Sequence, residues 1–229
     1  MTHTYFVTGT DTGVGKTLVA NALLKAARDE GMTTLGLKPV AAGCYLRDDT
    51  WVNEDAWELL QHSSVAATYA DINPVALREP MAPHIAAERE GVTLAAEPLV
   101  THCREQATRA EFCVVEGAGG WQVPLNAGES MADIAVGIGA PVILVAGMRL
   151  GCINHSLLTI AAIEAAGLEL AGWVANHIDP DMAVATENVA TLEERISAPL
   201  LGVIPVMENP GPLFAAPHLS VGPLVQSAT

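Results

Sequence analysis

Lysine disappears from this 229-residue sequence after Lys38, and basic residues are few throughout. Eleven Lys and Arg stand against 26 Asp and Glu, a formal charge of −15. Such a surface repels a polyanion and no basic stripe relieves it, so no nucleic-acid partner is expected. Long hydrophobic runs are missing too. Half of the residues are hydrophobic and mean hydropathy is +0.32. Yet no run approaches the ~20 residues needed to span a bilayer, and no membrane partner is expected. Met1-Thr2-His3-Thr4 shows no basic region before a long apolar segment, so no secretory leader is expected. Cysteine is scarce. Cys44, Cys103, Cys113 and Cys152 lie far apart with no metal-ligand spacing and read as reduced thiols of a cytoplasmic protein.

What the sequence does have comes almost at its start. Gly9-Thr10-Asp11-Thr12-Gly13-Val14-Gly15-Lys16-Thr17 follows Thr4-Tyr5-Phe6-Val7, a short apolar stretch rich in strand formers. Leu18 to Arg28 then carries apolar residues at helical spacing. Strand, glycine loop, Gly-Lys-Thr and helix in that order make a phosphate-binding loop. Glycines let backbone N–H groups turn inward around phosphate oxygens, and the helix N-terminus adds partial positive charge. Lys16 is placed to reach the β- and γ-phosphates, and the Thr17 hydroxyl to ligate Mg²⁺. The expected ligand is ATP or GTP with Mg²⁺. One detail departs from the common form: five residues, not four, separate Gly9 and Gly15, so Thr10 stands where the first glycine belongs.

Further along, Gly31 reads as the end of the first helix, and 33–37 as a second strand delivering Lys38 at its carboxyl end. Open α/β sheets hold ligands at that edge. Lys38 is there either a solvated lysine or a charge serving the phosphate loop. Residues 41–51 read as loop. Asn53 is an N-cap, and Asp55 in the following turn either answers the helix dipole or is aimed at Mg²⁺. Prolines at 74, 80 and 83 mark a rigid irregular connection, with Pro83 opening a short helix and His84 structural.

After a helix over 97–110, Phe112-Cys113-Val114-Val115 is a buried parallel strand ending in Glu116-Gly117-Ala118-Gly119-Gly120. An acid at the end of such a strand can hold Mg²⁺ directly or through water, and the glycines let the backbone pass close to phosphates. A helix over 131–138 follows, with Asp133 in its first turn and structural. Residues 141–146 form another buried strand. Arg149 to His155 then open a helix that is either an ordinary capped helix or one whose N–H groups, with Arg149 nearby, bind a carboxylate. A strand ending in Asn176-His177, a helix over 183–195 and a strand over 200–204 complete the pattern. From Asn209 a proline-rich tail is expected to be extended. The alternation implies one domain over 1–229: an α/β fold of the P-loop NTPase type, its mainly parallel sheet covered by helices on both faces.

With these residues in view, the chain resembles the dethiobiotin synthetases, from Tyr5 to about Pro210. The motifs that carry the likeness are Tyr5 to Thr12, Lys38-Pro39-Val40-Ala41, Glu116-Gly117-Ala118-Gly119-Gly120-Trp121, Leu150-Gly151-Cys152-Ile153-Asn154-His155 and Gly172-Trp173-Val174-Ala175-Asn176. The five-residue spacing is also what this family shows. The resemblance implies an ATP- and Mg²⁺-dependent cyclo-ligase acting on 7,8-diaminopelargonate and CO₂. It implies that Gly13, Val14, Gly15, Lys16, Thr17 and Leu18 hold the nucleotide, with Asp55, Glu116, Gly117, Ala118 and Gly119. Thr17, Asp55 and Glu116 would surround Mg²⁺. Lys16, Lys38 and Thr12 would serve the reacting carbamate and γ-phosphate. Asn176, His177, Pro205, Val206 and Met207 would flank the adenine. Gly151, Cys152 and Asn154 would reach the substrate carboxylate across the interface of a homodimer.

The resemblance has three departures. Ala42 stands where some relatives carry a serine, an adenine-facing glutamate is missing near Gly211, and His177 replaces an Asp. The last two imply a looser base pocket. The rival reading from another class is a switch ATPase of the partitioning and division-site kind. Its signature lysine would align with Asp11, and neither a basic surface nor an amphipathic membrane helix is seen. An amidotransferase-type synthetase would need a glutaminase domain for which 229 residues leave no room. A non-catalytic sensor would not need Lys16, Lys38, Asp55 and Glu116 together.

Overall fold

The apolar runs become one all-parallel sheet whose carboxyl edge gathers the candidate residues. The computed structural model describes residues 2–225. In chain order it contains β1 (His3–Gly9), α1 (Lys16–Asp29), β2 (Thr34–Leu37), β3 (Val40–Ala42), β4 (Tyr45–Arg47), β5 (Thr50–Val52), α2 (Glu54–His62), α3 (Tyr69–Ile72) and β6 (Val75–Leu77). Then follow α4 (Pro83–Glu90), α5 (Ala96–Ala107), β7 (Phe112–Glu116), α6 (Met131–Ile138), β8 (Val142–Met148), α7 (Cys152–Ala165), β9 (Leu170–His177), α8 (Ala185–Arg195), β10 (Leu200–Ile204), α9 (Pro212–Ala215) and α10 (Gly222–Val225).

The six-stranded sheet runs β10-β9-β8-β1-β7-β2, and every neighbouring pair is parallel. Its central strands are buried on both sides, which is why β7 and β8 read as unbroken apolar runs. Alternation along β8 shows the two faces. Leu144, Ala146 and Met148 join a core with Trp173, Ile160 and Leu192, whereas Ile143 and Val145 join the larger core on α1. The parallel register brings carboxyl ends together: Val7 pairs with Glu116, and the Gly117 N–H donates to Val7 O at 3.0 Å.

Three expectations from the sequence are corrected. Residues 41–51 are not simply loop. They include the end of β3 and an antiparallel hairpin, β4 with β5, that turns through Asp48 and Asp49 at φ 46° and 61°. A primed turn usually advertises itself with glycine, and aspartate is among the few other residues that tolerate that backbone. The proline-marked connection contains β6, paired in parallel with β3 through Val40 and Val75. The tail is not extended. Pro212 occupies the first helical position of α9, where its fixed φ suits a helix and its missing N–H costs nothing. The tail returns to the body: Ser220 N–H donates to Leu201 O at 2.8 Å, and Tyr5 Oη donates to Leu224 O. Gly202 permits this, because a Cβ there would lie 1.9 Å from His218 O. The last four residues of the tail, 226–229, lie outside the described residues.

Candidate active site

The loop after β1 is a cradle pinned from two neighbouring strands. Gly13 and Gly15 take φ of 74° and 89°, the left-handed backbone that glycine adopts without strain. Thr10 N–H donates to Val145 O at 3.0 Å, and the Gly147 N–H donates to Thr10 Oγ1 at 3.3 Å. The residue standing in place of the usual glycine thus fastens the loop to β8. On the other side, Asn176 Nδ2 at the end of β9 donates to Val14 O at 2.8 Å. The first N–H groups of α1 have no intrahelical acceptor and are left to face a ligand.

Beside the cradle lies a cleft of about 700 Å³ lined by Thr12, Gly13, Gly15, Lys16, Thr17, Lys38, Asp55, Glu116, Ala118 and Gly119, among others. Its polar centre is compact. Lys38 Nζ lies 2.6 Å from Glu116 Oε1, 3.1 Å from Asp55 Oδ2 and 3.3 Å from Gly117 O. Thr17 Oγ1 donates to the same Glu116 Oε1 at 2.9 Å. Glu116 Oε2 is buried with no hydrogen-bond partner among the described residues. Lys16 Nζ donates to Asp11 O at 3.0 Å.

Electrostatics follow the geometry. Burial works to lower the Lys38 ammonium, but the charges of Glu116 and Asp55 outweigh it and hold Lys38 above its usual range. Burial raises Asp55, yet Lys38 outweighs it and keeps the carboxyl below its usual range. Lys16 has no such pair. Burial, then the charge of Lys38, brings its ammonium down to about 8.

The structure therefore brings Thr12, Lys16, Thr17, Lys38, Asp55 and Glu116 to one cleft. Val14 is buried beneath the loop, Leu18 is half-buried on α1, and Gly117 packs on the Phe6 ring. Asn176 and His177 end β9 on the far side of the loop. Pro205, Val206 and Met207 follow β10, where Met207 borders a separate hollow with Glu208, Asn209, Phe214 and His218. Gly151, Cys152 and Asn154 do not line the cleft of their own chain. Gly151 and Asn154 are exposed, beside a Leu150 that is 95% exposed, while the Cys152 side chain packs in the core. Arg149 already has a carboxylate, pairing with Asp11. Asp133 is structural: with Ser130 it forms a capping box on α6.

Sequence reasoning missed several cleft residues. Asn53 lines it as well as capping α2, and Pro80, Met81, Ala82 and Pro83 form one wall. The paired prolines were the visible signal for a rigid wall, but nothing in their spacing says which site it bounds.

Among solved structures, the fold is similar to the septum site-determining protein MinD complexed with Mg-ADP from Pyrococcus horikoshii OT3. That match has a TM-score of 0.59 at 16% identity and covers 100% of this chain and 90% of that one. The MinC:MinD cell division complex of Aquifex aeolicus gives 0.56 at 16% identity, covering 96% and 87%. These likenesses show the fold alone. A family model described as an AAA domain matches residues 3–212. Two relatives are much nearer in sequence, both named ATP-dependent dethiobiotin synthetase BioD. The one from Cellvibrio japonicus is 52% identical, over 97% of this chain and 98% of its own length. The one from Pseudomonas aeruginosa is 49% identical, over 96% and 97%. At that identity over nearly the whole length, the chain belongs to the dethiobiotin synthetase family.

Proposed function

We propose that this chain is an ATP- and Mg²⁺-dependent cyclo-ligase that joins 7,8-diaminopelargonate and CO₂ into dethiobiotin. One amine takes up CO₂ as a carbamate, and ATP phosphorylates that carbamate. The second amine attacks the mixed anhydride, closing the ureido ring as phosphate leaves beside ADP. The carrying observation is the buried Lys38–Glu116 pair facing the phosphate loop, in a chain about half identical to named dethiobiotin synthetases.

The donor set suits the metal. Glu116 Oε2 is buried and unpartnered, and the Thr17 hydroxyl and Asp55 carboxylate complete an all-oxygen group fit for a hard cation. When bound there, Mg²⁺ would supply positive charge that neutralises the phosphates. The chain's own residues then divide the work. N–H groups of Gly13 to Thr17 cradle the phosphates, flanked by Leu18 and by the backbone of Gly117, Ala118 and Gly119. Lys16 and Lys38 hold positive charge against the carbamate and γ-phosphate as negative charge builds, and Thr12 hydrogen-bonds the carbamate. Ring closure is intramolecular, so positioning supplies most of what is needed. Asn176, His177, Pro205, Val206 and Met207 flank the base.

Gly151, Cys152 and Asn154 serve the substrate carboxylate of a partner subunit in a homodimer. This is supported by the exposed start of α7, with Leu150 turned fully to solvent, and by the absence of these residues from the lining of the chain's own cleft. Four free thiols support a cytoplasmic setting. No helix among the described residues is long and apolar enough to cross a membrane. Acidic surface charge supports the expectation of no nucleic-acid partner. The switch-ATPase reading is disfavoured by Asp11, which sits where that class needs lysine and is occupied by Arg149. The test is to mix the protein with Mg-ATP, bicarbonate and diaminopelargonate and look for dethiobiotin by mass spectrometry. No product at high enzyme concentration defeats the proposal.

A further inference from the structure

Lys38 stands where the chain leaves the main sheet. β2 ends at Leu37 and β3 begins at Val40, so the Lys38 peptide groups lie outside both strands, and Pro39 offers no N–H. Both groups are nevertheless gripped, and by adjacent residues. The Lys38 N–H donates to Ile72 O at 2.9 Å, and Asn73 Nδ2 donates to Lys38 O at 2.6 Å.

Asn73 is buried and donates again, to Val75 O at 3.0 Å. Its Oδ1 accepts from Tyr69 Oη at 3.0 Å, and that hydroxyl accepts the Asn53 N–H at 2.8 Å. Asn53 in turn donates Nδ2 to Ala42 O at 3.2 Å and caps α2 through the Ala56 N–H at 3.4 Å. A continuous run of hydrogen bonds thus joins the main chain of Lys38 to the first turn of α2. That turn carries Asp55, whose carboxylate meets Lys38 Nζ at 3.1 Å.

We infer that Asn53, Tyr69 and Asn73 are positioning residues for the ring-closing reaction, fixing the Lys38 main chain against the start of α2. They thereby set where the Lys38 ammonium and the Asp55 carboxylate meet. The inference rests on the roles proposed above for those two residues. Its physical basis is that buried main-chain polar groups must find partners, and for Lys38 O, Ala42 O and the Asn53 N–H those partners are side chains. Each satisfies the next, so loss of one leaves two orphans in a buried setting. Burial pushes the Tyr69 phenol up to about 12, so it remains a neutral donor. A lysine carried on a displaced main chain would miss the reacting atoms, and small misplacements are costly in rate.

Tyr69→Phe removes one oxygen and keeps the ring, whose centroid lies 6.5 Å from that of Trp57. Its turnover number is expected to fall about tenfold. By calorimetry, ADP affinity without Mg²⁺ should stay within about twofold of wild type, while the affinity gained on adding Mg²⁺ falls about fivefold, because Asp55 is displaced. Asn53→Ser keeps a capping oxygen but loses the reach to Ala42 O, and stands in if the first variant does not fold. It is expected to shift the same two readouts in the same direction. Wild-type turnover together with wild-type Mg²⁺ enhancement in a folded variant, whatever its melting temperature, overturns the inference. If the wild-type protein makes no dethiobiotin, the function fails instead, and the Mg²⁺-dependent ADP affinities of the variants still decide the positioning role.

Discussion

Lys38 Nζ and Glu116 Oε1 meet at 2.6 Å with almost no access to water, the residues being 3% and 1% exposed. Adjacent strands bring them together, since β2 and β7 pair in parallel and both end at this edge. Removing one partner of such a pair strands a buried charge, at about 3–5 kcal/mol. Lys38→Ala should therefore destabilise the nucleotide-free protein by an amount of that order in urea unfolding. It should largely preserve ATP binding and cut turnover by orders of magnitude. Adding Glu116→Gln should recover part of the stability and none of the activity. Turnover that survives in Lys38→Ala would remove Lys38 from the mechanism.

Gly15 and Gly13 share a backbone conformation but not surroundings, which separates two effects. A Cβ at Gly15 would lie 2.2 Å from Asn176 Nδ2, whereas nothing lies within 4 Å of one at Gly13. Gly13→Ala is expected to cost only backbone strain, about 1–3 kcal/mol. Gly15→Ala adds displacement of Asn176 from Val14 O, and should weaken nucleotide binding at least about tenfold more than Gly13→Ala does. Fluorescent-nucleotide titration of the two variants checks this. Equal losses would mean that the Asn176 contact does not shape the loop.

The four thiols give a test of the packing. All are free and buried. Burial pushes Cys44 up to about 11 and Cys103 up to about 12, and raises Cys113 as well. At pH 8 a thiol with such a value is thiolate in at most about one molecule per thousand, and the thiolate is the reactive form. Ellman's reagent should react with the native protein over hours and with all four thiols at once in guanidinium. Rapid reaction of two or more native thiols would contradict the core described above.

The sheet was legible because parallel strands buried on both faces leave apolar runs, and each run ended in a residue with chemistry. Glu116 after 112–115, Lys38 after 33–37 and Asn176 after 170–175 could be placed on one edge by that logic alone. What escaped were elements with little burial or unusual turn chemistry. The exposed β4–β5 hairpin has no glycine at its turn, and the short tail helices looked like broken chain because proline is read as a breaker before it is read as a helix start. Within the site, ligand-facing types were visible and their supports were not. Asn73 and Tyr69 are far from Lys38 in sequence, and only the parallel pairing of β6 beside β3 brings the 69–75 segment to it.

Base selectivity is open to test. Met207, proposed above to flank the base, borders a hollow of about 450 Å³ with Glu208, Asn209, Phe214 and His218. CTP and GTP are expected to support turnover within about tenfold of ATP, since an unmade base contact is worth about 1.4 kcal/mol. Initial rates at matched nucleotide concentrations measure this. A strict ATP requirement would show that the pocket discriminates by contacts other than the missing glutamate.

The sequence leaves the α7 start open between a carboxylate site with Arg149 nearby and an ordinary capped helix; in the structure Arg149 pairs with Asp11 of its own chain. That changes what its loss should do. The Thr12 N–H at 2.7 Å, and after it the Arg149 guanidinium, hold the Asp11 carboxyl below its usual range, so Asp11 is charged at neutral pH. Without Arg149 that negative charge would stand uncompensated beside a loop built for phosphates. Both side chains are partly exposed, at 41% and 49%, so water and salt screen the interaction to about 1 kcal/mol at most. Arg149→Ala should thus weaken ATP binding about two- to fivefold at low salt and less at 0.5 M. Asp11→Asn should restore the affinity in the double variant, because the charge that needed compensation is gone. If Arg149→Ala leaves ATP binding unchanged and raises KM for diaminopelargonate, Arg149 serves the substrate carboxylate after all, and the pair with Asp11 is only its resting contact.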